Sequence, residues 1–466
     1  MTITSQQKRV KVGVIGAGPG GLAIAINLLK LPFIDLSIYD QATELREVGA
    51  GISINQNTWR HLQLLGAADT IEQFTIRGDG SKIDIEQRNG RTGELLLRKY
   101  QSVSPNAPVR SRIERHKLQR ALLGQMPENF IKLSKKLETV VESDDGVIIT
   151  FKDGAVAGPF DLLIGADGIR SVVRQYAYPE HRLSYTGKVA YRTLIPQSKI
   201  AHIANIPHAA TFWHTAKSHV YTDRLDNGLF EIATRAIESE EHGNKVSWGQ
   251  KVSRDRVIHH YKDYCETIRQ IVEAPEEWLE FAMFGGPRLD SVIHNGRIAL
   301  IGDASHPLSG AFGSGAAFAF EDAYVLAQAL GYAHSRDENI SEALKLYDEV
   351  RSPHYKSLYA ILNGFADTAS EVQITCGTED EDQFVRETIR RNWSTNQDWI
   401  YSYDVRPLLL TFTVQILMWY RVAQVTKVWY QKVVEEDAKK GVAELKIGDE
   451  QGINLAVDAR SITMAV

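Results

Sequence analysis

The stretch Val10-Lys11-Val12-Gly13-Val14-Ile15-Gly16-Ala17-Gly18-Pro19-Gly20-Gly21-Leu22 decides the fold. Val10–Ile15 is a short β-branched run that reads as a strand. Gly20–Leu31 then places Leu22, Ala25, Ile26 and Leu29 at helical spacing, and Leu36–Tyr39 reads as a second strand. Strand, turn, helix and strand in that order make a βαβ unit, which implies a parallel sheet. The turn is a G-x-G-x-x-G. Gly16 allows the tight bend, Gly18 lets the backbone approach a pyrophosphate, and Gly21 lets helix and strand pack closely. The helix N-terminus adds unpaired N–H groups and partial positive charge. Asp40 closes the second strand, where an acid about 20 residues on accepts hydrogen bonds from an adenosine ribose. A plain βα turn with a capping carboxylate has the same letters. The strand before, the helix after and Asp40 beyond favour dinucleotide binding.

Two later motifs have the same grammar. Asp161-Leu162-Leu163-Ile164-Gly165-Ala166-Asp167-Gly168 is an apolar strand ending in a small-residue turn that bears Asp167. A strand followed by an ordinary Asp-Gly turn is the bland alternative. Gly302-Asp303-Ala304-Ser305-His306-Pro307 follows the buried-strand pattern Arg297–Ile301, with Gly313, Gly315 and Ala316 at the start of a helix that carries Glu321-Asp322. Glycines there permit close backbone approach to a ligand. The helix would aim its positive end at a negatively charged group.

Between the motifs the pattern changes. Gly187–Ile195, Ala209–His214, His219–Asp223 and Leu229–Thr234 read as strands without intervening helices, an inserted, mostly antiparallel layer. Long helical segments follow at about Gly315–Tyr332, Ser341–Phe365 and Glu381–Asn392. The expected fold is α/β: a Rossmann-like dinucleotide-binding domain (8–80, 108–184 and 286–365), which the family resemblance given below makes an FAD-binding domain, an inserted antiparallel β-sheet substrate domain (81–107 and 185–285), and C-terminal helices with a polar tail (366–466). No repeat or low-complexity linker interrupts it.

Bulk properties agree. The 466 residues suit two or three domains, and 43% hydrophobic with 24% charged residues is ordinary for a soluble protein. A formal charge of -5 gives no basic balance to favour nucleic acid. Two cysteines, Cys265 and Cys376, fit no metal-ligand spacing and suit a reducing, cytoplasmic setting. Met1–Lys11 is polar and does not read as a secretory signal. The apolar stretch Pro407–Tyr420, broken by Thr411, Thr413 and Gln415, falls short of the roughly 20 residues of a spanning helix.

The three motifs, in this order and at these separations, resemble the group A flavoprotein monooxygenases, and within them the salicylate hydroxylase-like branch. The likeness runs from about Val10 to about Leu362, and Trp399-Ile400-Tyr401-Ser402-Tyr403-Asp404 resembles the branch's C-terminal W-x-Y-x-Y-D. The resemblance implies bound FAD, NADH or NADPH as a transient co-substrate, O2, and hydroxylation of an aromatic acid or phenol through a flavin C4a-hydroperoxide, with or without decarboxylation. It implies that Gly16, Gly18 and Gly21 hold the pyrophosphate and Asp40 the ribose. Arg46, just before the segment Glu47-Val48-Gly49-Ala50-Gly51-Ile52 that matches the family's G-A-G-I, would lie on the adenosine side, Gly51 within it would bind cofactor, and Arg115 would lie on the flavin side. Asp167 belongs to a motif associated with both FAD and NAD(P)H, and Asp303 would bond the ribityl chain. Asn57 falls where the family has Asn.

On the substrate side, Tyr191-Arg192-Thr193-Leu194-Ile195-Pro196 resembles the family's F-R-G-L-I-P strand, and His219 matches a histidine that recurs in the branch. Arg192 offers a planar donor fork for an anion. His219, with Tyr221 beside it, could take a phenol proton. Arg192 in a surface ion pair and His219 as a structural imidazole remain open alternatives. Two positions depart from the family: Gly310 replaces a proline, and Asp223-Arg224 replaces Tyr-Pro. Two other readings stand beside the hydroxylase. One is an epoxidase or natural-product oxygenase that binds its substrate through Trp213 and apolar walls. The other is a flavin-bound sensor without turnover. A flavin halogenase is disfavoured, since its W-x-W-x-I-P is missing, and no second G-x-G-x-x-G marks a permanent NAD(P)H domain.

Overall fold

Val10–Ile15 forms the strand its β-branched run predicts, and the chain turns at Gly16 into helix Pro19–Leu28, with Pro19 at the first turn. Proline suits that position because its missing N–H has no helical partner there. The computed structural model describes residues 9–45, 51–74, 76–77, 83–100, 111–246, 249–308, 313, 315–376, 380–394 and 399–407. The described residues up to Val405 form one compact unit. Arg46, the Glu47–Ala50 part of the G-A-G-I segment, Gly310, the apolar stretch beyond Pro407 and the tail after Glu435 lie outside the described residues.

A six-stranded sheet runs in the order Ile293–His294, Ile298–Leu300, Leu162–Gly165, Val10–Ile15, Ile34–Tyr39, Ile131–Lys132. All its pairs are parallel except the first, an antiparallel edge. Helices Pro19–Leu28 and Gly315–Ser335 pack on each other. The fold is α/β, as expected.

An eight-stranded sheet makes the second layer: Gln250–Ser253, Glu277–Gly285, Ser184–Pro196, Leu229–Ile237, His219–Arg224, Ala210–His214, Ile83–Asn89, Leu95–Tyr100. Its one parallel pair joins Ala210–His214 to Ile83–Asn89. Residues alternate between its faces, as strand geometry requires. One face carries Val189, Tyr191, Ile195, Trp213, Val220, Phe230 and Ile232 into a core closed by Val257, Ile268, Ile271 and Val272. The other carries Lys188, Ala190, Arg192, His219, Tyr221, Ala233 and Arg235.

The helix expected to end near Phe365 runs on to Cys376. Its last 11 residues, 366–376, bury only Val372, so the apolar stripe that marks a helix fades although the helix continues.

Beneath the third motif lies a fully buried ionic cluster. Asp322 Oδ1 accepts from Arg351 Nε (2.8 Å) and the Tyr355 hydroxyl, and Asp322 Oδ2 from the Gly302 N–H (2.9 Å). His306 Nε2 lies 3.1 Å from Oδ2. Glu321 lies 3.0 Å from Arg351 Nη2 and accepts from Asn57 Nδ2 (2.9 Å), while Asn57 also donates to the Ile400 carbonyl (3.1 Å). Burial opposes the charge on Asp322, yet Arg351 and His306 outweigh it and hold the carboxyl down at about 2. For Glu321 burial prevails over Arg351 and Asn57 and pushes the carboxyl up to about 7.

The folded chain therefore keeps the Glu321 proton above pH 4.5, where an unfolded glutamate has lost it. This group's contribution to stability falls as pH rises from 4.5 towards about 7. The slope is at most about 1.4 kcal/mol per pH unit. Glu321→Gln has no such proton. Urea unfolding of both proteins across that window should show wild type losing stability relative to Glu321→Gln as pH rises. A difference that stays constant with pH would refute the assignment.

Candidate active site

The three motifs sit at the ends of three adjacent parallel strands. Gly16 has φ +99° and donates its N–H to the Tyr39 carbonyl (2.7 Å). A Cβ on Gly16 would lie 2.3 Å from the Ala166 carbonyl oxygen, and one on Gly21 would lie 1.9 Å from the Gly16 carbonyl oxygen. Neither distance admits a side chain, so these glycines serve packing of turn against turn and helix against turn. A Cβ on Gly18 would meet nothing within 4 Å. Its side opens to space, as a turn that receives a pyrophosphate requires. Asp40 accepts from the Ala17 N–H (2.6 Å) and the Ala42 N–H (2.8 Å), tying the second strand's end to the glycine turn.

Asp167 accepts from the Ser171 hydroxyl (2.5 Å) and the Val172 N–H (2.7 Å), capping helix Val172–Ala177. Burial raises its carboxyl above the usual range despite those bonds. Asp303 is exposed on a short 3-10 turn, Gly302–Ala304. Arg174 Nη1 donates to the Asp303 and Ala304 carbonyls (3.1 and 3.0 Å), so the backbone is pinned while the carboxylate faces out. Asp303 Oδ1 lies 3.6 Å from where a Cβ on Gly315 would be, so this carboxylate stands at the N-terminus of helix Gly315–Ser335, beside Ala316. Gly313, at φ +62°, has nothing within 4 Å of a Cβ position. An open glycine turn, a helix start and an exposed, backbone-anchored acid fit the pyrophosphate and the polyol chain of FAD.

Strand Gly51–Ile54, in a three-stranded sheet with Ser111–Glu114 and Ile76–Arg77, meets the large sheet. The Gly51 N–H donates to Glu231 Oε1 (3.1 Å), and Arg112 Nη2 pairs with Glu231 Oε2. Arg112 Nε lies 3.5 Å from Asp223 Oδ2, which accepts from the Tyr221 hydroxyl (2.7 Å). Arg115 opens the helix Arg115–Leu123 that follows strand Ser111–Glu114.

The open face of the large sheet is ordered by register. One row runs Phe212, Tyr221, Ala233, Arg192 and the next His214, His219, Arg235, Ala190. The Phe212 and Tyr221 rings are 4.8 Å apart, and those of His214 and His219 5.8 Å. Arg192, its side chain 32% exposed, lies 3.7 Å from Glu231 Oε1. Burial, then Arg115, Arg112 and Arg235, push its guanidinium down to about 9. Burial lowers His219 well below 6.5, assisted by Arg235, His214 and Lys188. His214, bonded to Gln87 Oε1 at 2.5 Å, falls to about 4 through burial.

Arg192, His219 and Tyr221 therefore share one face. Trp213 does not: it is buried on the opposite face and donates to Thr222 (3.2 Å), so it lines no wall shared with them. Strand alternation puts neighbours 213 and 214 on opposite sides. Reading by family motif missed Arg112, Glu231, Lys188 and Arg235. The period-two spacing of Lys188 with Arg192, and of Glu231 with Arg235, places those residues on one face, whereas nothing local marks Arg112 or its pairing with Glu231. Among the described residues, Glu238, His259 and His260 have metal-like spacing. Glu238 Oε1 already pairs with Arg256, His260 (3.0 Å) and the Tyr191 hydroxyl (3.3 Å), so a guanidinium holds the place a cation would take.

No described helix is long and apolar enough to cross a membrane. A sequence model of the family described as FAD binding domain matches residues 9–360. The chain is 30% identical over 359 residues to the 3-amino-4-hydroxybenzoate 2-monooxygenase PtmB3 of Streptomyces platensis, covering 75% of this chain and 86% of that one. It is 27% identical over 373 residues to a salicylate hydroxylase of Pseudomonas putida, covering 76% and 83%. A structure titled salicylate hydroxylase substrate complex shares its fold with a TM-score of 0.70 at 23% identity, covering 86% of this chain and 97% of that one. With its three motifs gathered at one sheet end and the family match spanning 9–360, the chain belongs to the FAD binding domain family, as an FAD-dependent monooxygenase.

Proposed function

We propose that the protein hydroxylates a phenolic aromatic acid, with NADH or NADPH as electron donor and O2 as oxygen source. The observation that carries this reading is the open face of the large sheet. Phe212, Tyr221 and Ala233 make an apolar patch, the two rings tilted by 53°, with Arg112 over the Tyr221 ring and Arg192, Arg235 and Lys188 on the same face. Its nearest carboxylates, Glu231 and Asp223, are drawn towards Arg112. An aromatic ring would lie on the patch with its anionic group towards the cations, which offset the cost of desolvating it. The names of the two relatives, a salicylate and an aminohydroxybenzoate monooxygenase, point the same way.

Bound FAD would supply the redox and oxygen-transfer chemistry. The chain's own residues would do the rest. Gly16, Gly18, Gly21 and Asp40 would hold the adenosine and pyrophosphate end, and Arg46 and Gly51 would be further cofactor contacts. Arg115, Asp303, Gly313, Gly315 and Ala316 would hold the flavin end, and Asp167 would order the turn between them. Arg192 would orient the substrate anion. His219 stays neutral at working pH, so it would accept the phenol O–H as a hydrogen-bond partner. The surrounding guanidinium charge, with Tyr221 near the ring, would favour the electron-rich phenolate. We assign residues 8–80, 108–184 and 286–365 to the FAD domain and 81–107 and 185–285 to the substrate domain, a division supported by strands 83–100 joining the large sheet. Free Cys265 and Cys376 support a cytoplasmic setting.

Three outcomes test the reading. The purified protein should carry non-covalent FAD, and Asp303→Ala should weaken it roughly ten- to hundredfold, for loss of a charge-assisted bond of about 1.5–3 kcal/mol. A folded wild type that takes up no FAD would end the proposal. NAD(P)H oxidation should be stimulated by phenolic acids from a broad panel. Arg192→Met should then raise KM for an aromatic acid by roughly tenfold or more, with FAD retained and neutral phenols little affected. Equal effects on acid and neutral phenol would rule out the anion contact. Because the neutral form of His219 is the working form and its titration lies well below 6.5, kcat/KM should stay flat as pH falls from 8 to 6.5. His219→Gln, which keeps an acceptor, should retain most of the rate; an acid limb near 6.5 that this variant abolishes would restore His219 as the general base.

A further inference from the structure

The turn that carries Asp303 is held from below by a group no motif reading assigns to the cofactor. Gly302 sits at φ +59°, in the left-handed region, and a Cβ there would stand 3.1 Å from the Ala319 Cβ. Its carbonyl accepts from the Ser305 N–H (2.9 Å), the Ser305 hydroxyl (2.9 Å) and the His306 N–H (3.0 Å). Its N–H donates to Asp322 Oδ2 (2.9 Å), on helix Gly315–Ser335. Asp322 is fully buried, and its other oxygen is taken by Arg351 and Tyr355. The Asp303 carbonyl is taken by Arg174. The Gly302 and Asp303 carbonyls and the Gly302 N–H are thus all bonded within the protein, while the Asp303 carboxylate is exposed.

We propose that Asp322 is a positioning residue for FAD: through the Gly302 N–H it sets the turn so that Asp303 presents its carboxylate to the flavin's polyol chain. The proposal rests on the FAD reading above. Asp322 receives donors on both oxygens, Arg351 and Tyr355 on one, Gly302 and His306 on the other. An asparagine of the same shape must put an NH2 against one of those pairs. Turned one way it opposes Gly302 and His306, and turned the other it opposes Arg351 and Tyr355. Either way the fourfold acceptance that locks helix, turn and Arg351 together is lost. An ion pair that served only the core would need no link to the Gly302 N–H.

The test is a double-mutant cycle on FAD affinity, measured by equilibrium dialysis of the purified flavoprotein, with thermal unfolding followed alongside. Asp322→Asn should weaken FAD roughly tenfold or more. Placed on Asp303→Ala, it should add less than about twofold, because the contact it positions is already gone. The unfolding temperature should drop in both backgrounds alike, which separates positioning from stability. If Asp322→Asn does not fold, Gly302→Ala displaces the same turn while leaving Asp322 and Arg351 intact, and should show the same dependence on Asp303. An affinity within twofold of wild type, or an equal loss with and without Asp303, would overturn the proposal. A wild type that binds no FAD would instead overturn the reading beneath it.

Discussion

The site depends on a close approach of two backbone turns. Gly16 and Ala166 end neighbouring parallel strands, and no side chain fits between them. That contact lets the first two motifs, some 150 residues apart in the chain, meet at one sheet end. The third arrives by the same route, since Ile298–Leu300 pairs with Leu162–Gly165 in parallel. Parallel pairing places all three turns at the carboxyl ends of their strands, the edge where open α/β sheets bind ligands. Gly21 against the Gly16 carbonyl then brings the first helix down on this edge and points its N-terminus at it.

Buried charge is the second constraint. Taking Asp322, Glu321 and Arg351 out of water is costly, and apolar residues of similar volume would often pack there at no loss. What an apolar core cannot do is accept the Gly302 N–H or bond Asn57, which itself reaches the Ile400 carbonyl. The cluster ties the third motif's turn, the helix Gln56–Leu65 and the segment Trp399–Ser402 to one point. The asymmetry of the two carboxyls fits this. Asp322, with donors on both oxygens, stays charged, and Glu321, with fewer, keeps its proton into the neutral range.

Legibility followed how local each signal was. The glycine turn, its strand and its helix were readable because sterics within about a dozen residues dictate them. Four of the eight strands of the large sheet were readable as β runs without intervening helices, and Ile83–Asn89, Leu95–Tyr100, Gln250–Ser253 and Glu277–Gly285 were not. The end of helix Ile340–Cys376 was not, because its last turns bury almost nothing and leave no stripe. Trp213 shows a different failure. Its identity suggested a binding wall, and only its parity on the strand, opposite to His214, shows that it belongs to the core. The cluster of Arg112, Asp223 and Glu231 joins residues more than 100 positions apart and has no local signature.

That cluster settles the electrostatics of the substrate face. Arg192, Arg235 and Lys188 share one side of the sheet, and burial, then repulsion from Arg115, Arg112 and Arg235, lowers the pKa of Arg192. Glu231 could neutralise them, lying 3.7 Å from Arg192. It is also held, at shorter distance, by the Gly51 N–H and by Arg112, from strands Gly51–Ile54 and Ser111–Glu114. Under the proposed function, removing Arg112 would free Glu231 to pair more closely with Arg192 and would reduce the positive charge that an anionic substrate would meet. The ion pair between Arg112, on strand Ser111–Glu114, and Glu231, on the large sheet, therefore bears both on how these strands dock and on the proposed anion contact.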